Sequence, residues 1–482
     1  MSQRAAVLRI LGRHLPNIPK DPRTLCGTPR QCNVRSLQNK NYFHMGLVKG
    51  LSGLINSRKL PECILGIQIH CDGTIIYRSS DLQLWPILAR ISRPQMSEIF
   101  TVGFYRGRGK PKPVEQFLRE CIAELEMVLE HGVVHHGVSY ECPLSAIICD
   151  TPARAFVCQV KGHNAYFGCD RCIQPGYYTG GKMTFPSITA KPKTDESFRA
   201  KRHKKHHLSE SNSAFLALNI DMVRTFCHDY MHLVCLGVMK KLLLSWLSGP
   251  RDRFAGISPS VAEELGNRIL QSHVGITCDF PRKCRHISDT ERWKASEYRQ
   301  FLLYLGPVCL IHLLPEDAYH HFLALSVAMY IRCHPRLYVR YHQFAADLLS
   351  MFVQQFELFY GSKELVYNVH NLIHLNDDVL LHGTLDYFSA FPFESYLGYL
   401  KCLIKGPINP GQQLYKRLIE DRSLPLSLQR NSYVDDTGSP LIRTPICNNF
   451  FFLRNAFFTD RSPDNVVIVH GFPGVIVNTS VG

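Results

Sequence analysis

Two kinds of metal-binding chemistry can be read from the residue types of this chain. Cys169-Asp170-Arg171-Cys172 is a CxxC, a spacing that lets two thiolates reach one tetrahedral ion. His370-Asn371-Leu372-Ile373-His374 sets two imidazoles four residues apart, hence on one face of a helix. An isolated HxxxH is weak evidence, because helical histidines are usually ordinary polar residues. With an unpartnered CxxC upstream, however, the pair completes a Cys2His2 set, and structural zinc is the favoured reading. The second kind of chemistry is hard oxygen. Asp72 and Asp150 each end a short apolar run, and Glu394 stands in the segment FSAFPFESYLGYLKCLIKG. A carboxylate at the end of a buried strand is poorly solvated and needs a cation, a donor or a proton. Three converging carboxylates can hold two Mg²⁺ ions about 3.5–4 Å apart. Hard acids and soft thiolates need not compete for one metal.

Each acid also has a plainer explanation. Asp72 precedes Gly73, a pair that commonly serves a turn. Glu394 opens a helix, where the dipole favours a carboxylate whatever its function. Asp229, in Asp229-Tyr230-Met231-His232, likewise stands at a helix start and reads as a cap.

What decides between these readings is the order of the elements. Ile64–Cys71, Leu82–Ile91 and Glu98–Tyr105 read as strands. Val114, Phe117, Leu118, Cys121, Ile122, Leu125, Val128 and Leu129 form one apolar helical face, with Pro113 near its start and Gly132 past its end. Ala146–Cys149 reads as a fourth strand, stopped by Thr151-Pro152-Ala153. Strand, strand, strand, helix, strand is the order of an RNase H-like fold, in which the first and fourth strands lie side by side. Asp72 and Asp150 would then converge.

The remaining chain is organised around this core. Residues 1–60 read as an N-terminal appendage and 61–155 as the first part of the core. Residues 156–374 read as a mostly helical insertion, 375–420 as a closing segment carrying Glu394, and 421–482 as a C-terminal extension. Residues 175–215 read as a loop that includes the basic run 199–207. Lys+Arg of 55 against Asp+Glu of 40 gives a net charge of +15, which favours a polyanionic partner. Eighteen cysteines without a secretory h-region argue for reduced thiols inside a cell rather than a disulfide framework. No apolar run reaches the roughly 18 residues of a membrane span.

The series ICDTPARAF, KGHNAYFGCDRC, DYMHLVCLGVMKKLL, ERWKASEYRQFLLYLGP, YNVHNLIHL and FPFESYLGYLK resembles animal transposase-domain proteins related to CACTA-type (En/Spm) DNA transposases. The resemblance covers about residues 10–420. It implies a DDE transposase, an RNase H-like α/β core interrupted by a large helical insertion. Recurrent family signatures match Cys169/Cys172, Asp229/His232 and His370/His374. The resemblance and the strand order together assign a catalytic triad of Asp72, Asp150 and Glu394 with Mg²⁺ or Mn²⁺, and Asp229 is the substitute. Cys169, Cys172, His370 and His374 would hold zinc. Lys401, Lys405, Arg106, Arg108 and Lys110 would face DNA phosphates, with little choice of sequence. The expected placement is nuclear, with DNA as partner, a homo-oligomer as an option and no membrane. The alternative is a catalytically inactive, domesticated or relic DNA- or protein-binding descendant that keeps the fold.

Overall fold

Ile67-Gln68-Ile69-His70-Cys71 is buried along its whole length, so its polar residues, like its apolar ones, must find their partners inside. That strand is the centre of the architecture in the computed structural model. The structure describes residues 3–15, 17–38, 40–58, 63–208, 212–248, 256–277 and 279–422, together with four short strands beyond residue 450. The described chain is mixed α/β and divides into two compact units. The first draws on Met1–Cys149, Asn212–Ile220 and Phe391–Tyr433, the second on Asp150–Ser211, Asp221–Ala390 and Val434–Gly482.

In the first unit, two short helices, α1 (Gln3–Leu11) and α2 (Pro22–Leu25), precede the hairpin β1 (Val34–Leu37) and β2 (Lys40–His44) and the helix α3 (Leu47–Arg58). Then follow β3 (Ile67–Cys71), β4 (Thr74–Ile75), β5 (Leu82–Ile91), β6 (Phe100–Arg108), α4 (Val114–His131), a small hairpin of β7 (Val133–His135) and β8 (Val138–Tyr140), and β9 (Leu144–Cys149). The sheet runs β1-β2-β6-β5-β3-β9. Neighbours are antiparallel as far as β3, and β3 and β9 are parallel, with His70 opposite Ile148. The first and fourth strands of the sequence reading are thus neighbours. Residues 34–58, assigned there to the appendage, supply two strands and a helix to this unit.

The helix α4 forms where the apolar period lies. Seven of its eight expected apolar positions are buried, and it ends at Gly132. Phe117 meets Tyr42 and Tyr105 at ring-centroid distances of 6.0 and 6.3 Å, which fixes α4 over β2 and β6. Asp72-Gly73 does not make a hairpin. The chain continues through β4 along β5 in unbroken register, Cys71 opposite Ile87 and Thr74 opposite Leu84. The interruption faces Pro86, which has no N–H to donate. Gly73 is required because a Cβ there would lie 2.2 Å from the Trp85 indole.

The second unit is largely helical. It opens with α5 (Thr151–Cys158) and includes the hairpin of β10 (Tyr177–Thr179) and β11 (Lys182–Thr184) and the short α6 (Asp195–Arg199). The hairpin and α6 lie within residues 175–215, which the sequence pattern reads as a loop. A π-helix over Met231–Met239 continues as an α-helix over Lys240–Ser248. By length and composition this 18-residue stretch, mean hydropathy 1.3, could cross a membrane, but half of it is buried within the protein. Helices Glu316–Cys333 and His342–Tyr360 pack together around His321, whose ring stacks on Phe352 at 4.2 Å. The HxxxH spans a junction, with Tyr367–His370 α-helical and Asn371–His374 a 3-10 turn.

Candidate metal centres

In the second unit Cys169, Cys172, His370 and His374 bring one ligand atom each within 4.8 Å of one another. The two Sγ atoms are 3.5 Å apart, Cys172 Sγ is 3.3 Å from His370 Nε2, and Cys169 Sγ is 3.8 Å from His374 Nε2. A tetrahedral ion with bonds of about 2.0–2.3 Å sets its ligands roughly 3.3–3.8 Å apart, so these separations fit one ion. Both sulfurs and His370 are buried. Burial penalises a thiolate. Hydrogen bonds from Cys172, His370 and His374 nevertheless hold the Cys169 thiol well below the usual thiol range, while Cys172 is pushed up. A divalent cation held there would take both sulfurs as thiolates.

The two residues inside the CxxC act as clamps. Asp170 accepts from Arg154 Nε at 2.6 Å and from Tyr367 Oη at 2.7 Å, and Tyr367 starts the helix that carries His370. Arg171 reaches Asp378 at 2.6 Å and the carbonyls of Val223 and Phe226 at 2.7 and 2.9 Å. Asp378 lies on the helix Leu375–His382, directly after His374, and also accepts from His228 Nδ1 at 2.8 Å. Burial opposes ionisation of Asp378, but the Arg171 charge and the His228 hydrogen bonds hold its carboxyl well below the usual range. Each half of the CxxC is thus tied to one side of the HxxxH. Charged residues this buried are costly unless paired, and Arg154, Asp170, Arg171 and Asp378 each meet an opposite charge.

The first unit holds a second group. His70, Asp72 and Glu394 bring ligand atoms within 4.8 Å of one another. Gln68, His70 and Asp72 alternate onto one face of the strand direction. The helix Phe391–Leu403 lays its first turn against that face, with Phe393 stacked on the His70 ring at 4.7 Å and 10°. Arg90, hydrogen-bonded to Gln68 at 2.8 Å, lies 4.9 Å from the centroid of the same Phe393 ring. Phe393 therefore fixes the helix start, and Glu394 follows it. Asp72 Oδ1 also accepts from Gly73 N at 2.6 Å, so the turn-serving role holds alongside membership of the group.

The other acids are placed differently. Asp150 is not among the ligand atoms of the group. It is the N-cap of α5, its Oδ1 accepting from Ala153 N at 2.6 Å. Asp229 is buried and accepts from the backbone N–H of Met231, His232 and Ala390 at 3.2, 2.9 and 2.7 Å, and from His232 Nδ1 at 2.6 Å. Burial resists its charge, and these bonds more than offset that, holding its carboxyl below the usual range. Its four acceptor bonds are those of a structural cap.

The residues expected to face DNA are spread over the first unit. Arg106 and Arg108 lie on β6 rather than in a loop, Arg106 opposite Asn41 and Leu84. Lys110 stands 5.6 Å from the Trp85 ring, the same ring that presses on Gly73 beside Asp72. Lys401 is on the Glu394 helix, but that helix ends at Leu403 and Lys405 lies beyond it, ahead of Gly406-Pro407. In the basic run, Arg199 and Arg202 pair with Asp195 and Glu196, and His206 and His207 are buried. Much of its charge is therefore used locally.

His70 was not singled out by the sequence reading, although the polar alternation at Gln68, His70 and Asp72 in an otherwise apolar strand is a usable signal. The clamp residues Tyr367, His228 and Asp378 carry no such signal, because their partners are far away in sequence, and Arg154 meets Asp170 at a spacing of no regular element. The chain matches no protein-family model, and no curated protein matches it.

Proposed function

We propose that the first unit is an RNase H-like core of a transposon-derived, DDE-type protein that cleaves and transfers DNA strands with a divalent metal. The observation that carries this reading is the meeting of Asp72 and Glu394, from opposite ends of the described core, in one ligand group. The sheet order supports it: the third, second, first and fourth strands of the core, β6-β5-β3-β9, lie side by side, the last pair parallel. β9 leads directly into Asp150, the third acid of the proposal. The donor set of two carboxylates and an imidazole fits Mn²⁺ or a similar borderline ion at least as well as Mg²⁺. A divalent ion held there supplies charge stabilisation at the transferring phosphate. Asp72 and Glu394 orient that ion, while Phe393 keeps His70 in its stacked position. Lys110, Arg108 and Lys401 serve phosphates flanking the scissile one. DNA is then the partner, contacted mainly through its backbone, and the nucleus the place of action.

In the second unit, zinc on Cys169, Cys172, His370 and His374 is proposed as a structural element. A competing reading has its own support: the helix-capping engagement of Asp150 favours an inactive descendant that binds DNA without cutting it. The deciding experiment measures nicking and strand transfer on labelled duplexes with Mn²⁺ or Mg²⁺, comparing the wild type with Asp72→Asn and Glu394→Gln. Metal-dependent cleavage lost in both variants is expected. Cleavage that survives both substitutions overturns the site, and DNA binding without cleavage selects the inactive descendant.

A further inference from the structure

A cavity of about 440 Å³ in the second unit is lined by the β10–β11 hairpin, the joint between the π-helix and the helix Lys240–Ser248, Gly256, and the end of the helix His342–Tyr360 with the turn after it. Four lysines line it, Lys182, Lys240, Lys241 and Lys363, against one carboxylate, Glu364. Glu364 is already committed, paired with Lys182 at 2.7 Å and with Lys241 at 2.5 Å. Those charges pull its carboxyl below the usual range against the effect of burial. Lys240 and Lys363 have no acidic partner among the described residues. The rest of the lining includes apolar and aromatic residues, Leu236 and Leu244 on either side of Lys240 along the helix, with Phe359 and Tyr360.

The cationic side is held in place by packing. Gly180 and Gly181 turn the hairpin at φ +55° and +82°, and a Cβ on Gly180 would meet the Lys363 Cβ at 3.1 Å. The hairpin tip thus presses on the stem of Lys363. Thr184 bridges Val366, and Phe185 N donates to Leu365 O at 2.7 Å, so the hairpin and the segment carrying Glu364 form one wall. A side chain held by its neighbours loses little freedom when it takes a ligand, which favours binding.

We infer that this cavity is a binding site for a compact phosphorylated anion of nucleotide size, its phosphates taken by Lys240 and Lys363 and its less polar part set against Leu236, Leu244 and Phe359. An excess of lysines over carboxylates selects phosphate chemistry. Concavity and size select a small molecule over a straight duplex. The inference stands apart from the proposed strand-transfer reaction, since every residue it uses lies in the second unit.

The test is calorimetric titration of the full zinc-loaded chain with pyrophosphate, ATP and a short DNA duplex. Pyrophosphate and ATP are expected to bind, ATP the more tightly through its base. Lys240→Met and Lys363→Met should each weaken both by roughly tenfold, as loss of a charge-assisted bond does. Each variant should melt within a few degrees of the wild type, which separates lost binding from lost folding. Duplex DNA should bind without competing for ATP. Absence of binding by both small anions, or affinities unchanged in both variants, overturns the inference. Displacement of ATP by duplex DNA overturns it too, because the cavity would then be part of a nucleic-acid track.

Discussion

The two candidate metal-binding groups of this chain are built on opposite plans. The Cys2His2 group is soft, with three of its four ligands buried, and is braced on both sides by largely buried ion pairs. The His70-Asp72-Glu394 group is hard, and both of its carboxylates are partly exposed, on a strand end and a helix start. A site that must never let go of its ion invests in the surroundings of its ligands. A site that must admit a substrate cannot enclose its ion in the same way. The contrast between the two units therefore separates architecture from chemistry, and substitutions should separate them as well.

The largest effect is expected from Cys169→Ser with Cys172→Ser. Apparent zinc affinities of structural sites, about 10–16 kcal/mol in small zinc domains, rival the whole stability of a domain. The second unit should lose cooperative unfolding, and metal analysis should fall from one zinc per chain to none. A variant that keeps its melting transition would remove the structural role from this group.

Next comes the clamp. Asp378→Ala leaves Arg171 buried without its counter-ion, a defect that costs about 3–5 kcal/mol. Denaturant titration of the zinc-loaded protein reads it directly, and a change below about 1 kcal/mol would mean that the bracing is idle. The same carboxylate gives a pH signature. Its folded pKa is depressed below an unfolded value of about 3.9, so its contribution is complete above about pH 5 and is lost as pH falls through the acid range. The stability difference between the wild type and Asp378→Asn should therefore shrink on acidification. A difference that grows instead has the sign wrong.

A smaller change is expected at Gly73. Alanine there must push aside the Trp85 ring, costing about 1–3 kcal/mol and shifting Asp72. Mn²⁺ affinity, followed by electron paramagnetic resonance, should fall with stability, and undiminished affinity would detach Asp72 from the ion. Least of all should Glu394→Gln disturb folding. Removing one of two neighbouring carboxylates should leave stability within about 1 kcal/mol of the wild type, or slightly above it, while Mn²⁺ binding is lost. Serious destabilisation would make Glu394 a structural residue like Asp229.

The sequence was legible wherever period or spacing is local. β5 was bounded to the residue, α4 to its last turn, and the four Cys and His ligands could be matched by type alone. Two things escaped. Asp150 reads the same whether it serves a metal or caps α5, because Asp before Thr-Pro satisfies both. The Arg171 side of the clamp depends on residues more than fifty positions away, and no spacing rule reports a partner at that distance. His70 lies between these cases, carried by an alternation with Gln68 and Asp72 that an otherwise apolar strand obscures.

The first unit takes residues from both sides of the second in the chain, and synthesis makes that an ordering in time. At about 5–20 residues per second, roughly 15–65 s separate the appearance of Asp72 from that of Glu394 on the ribosome. All four soft ligands emerge before Glu394, so the Cys2His2 set is complete while the first unit still lacks its closing helix. A product truncated ahead of Phe391 would carry the complete Cys2His2 set but never Glu394, so the two groups are separable by truncation as well as by substitution.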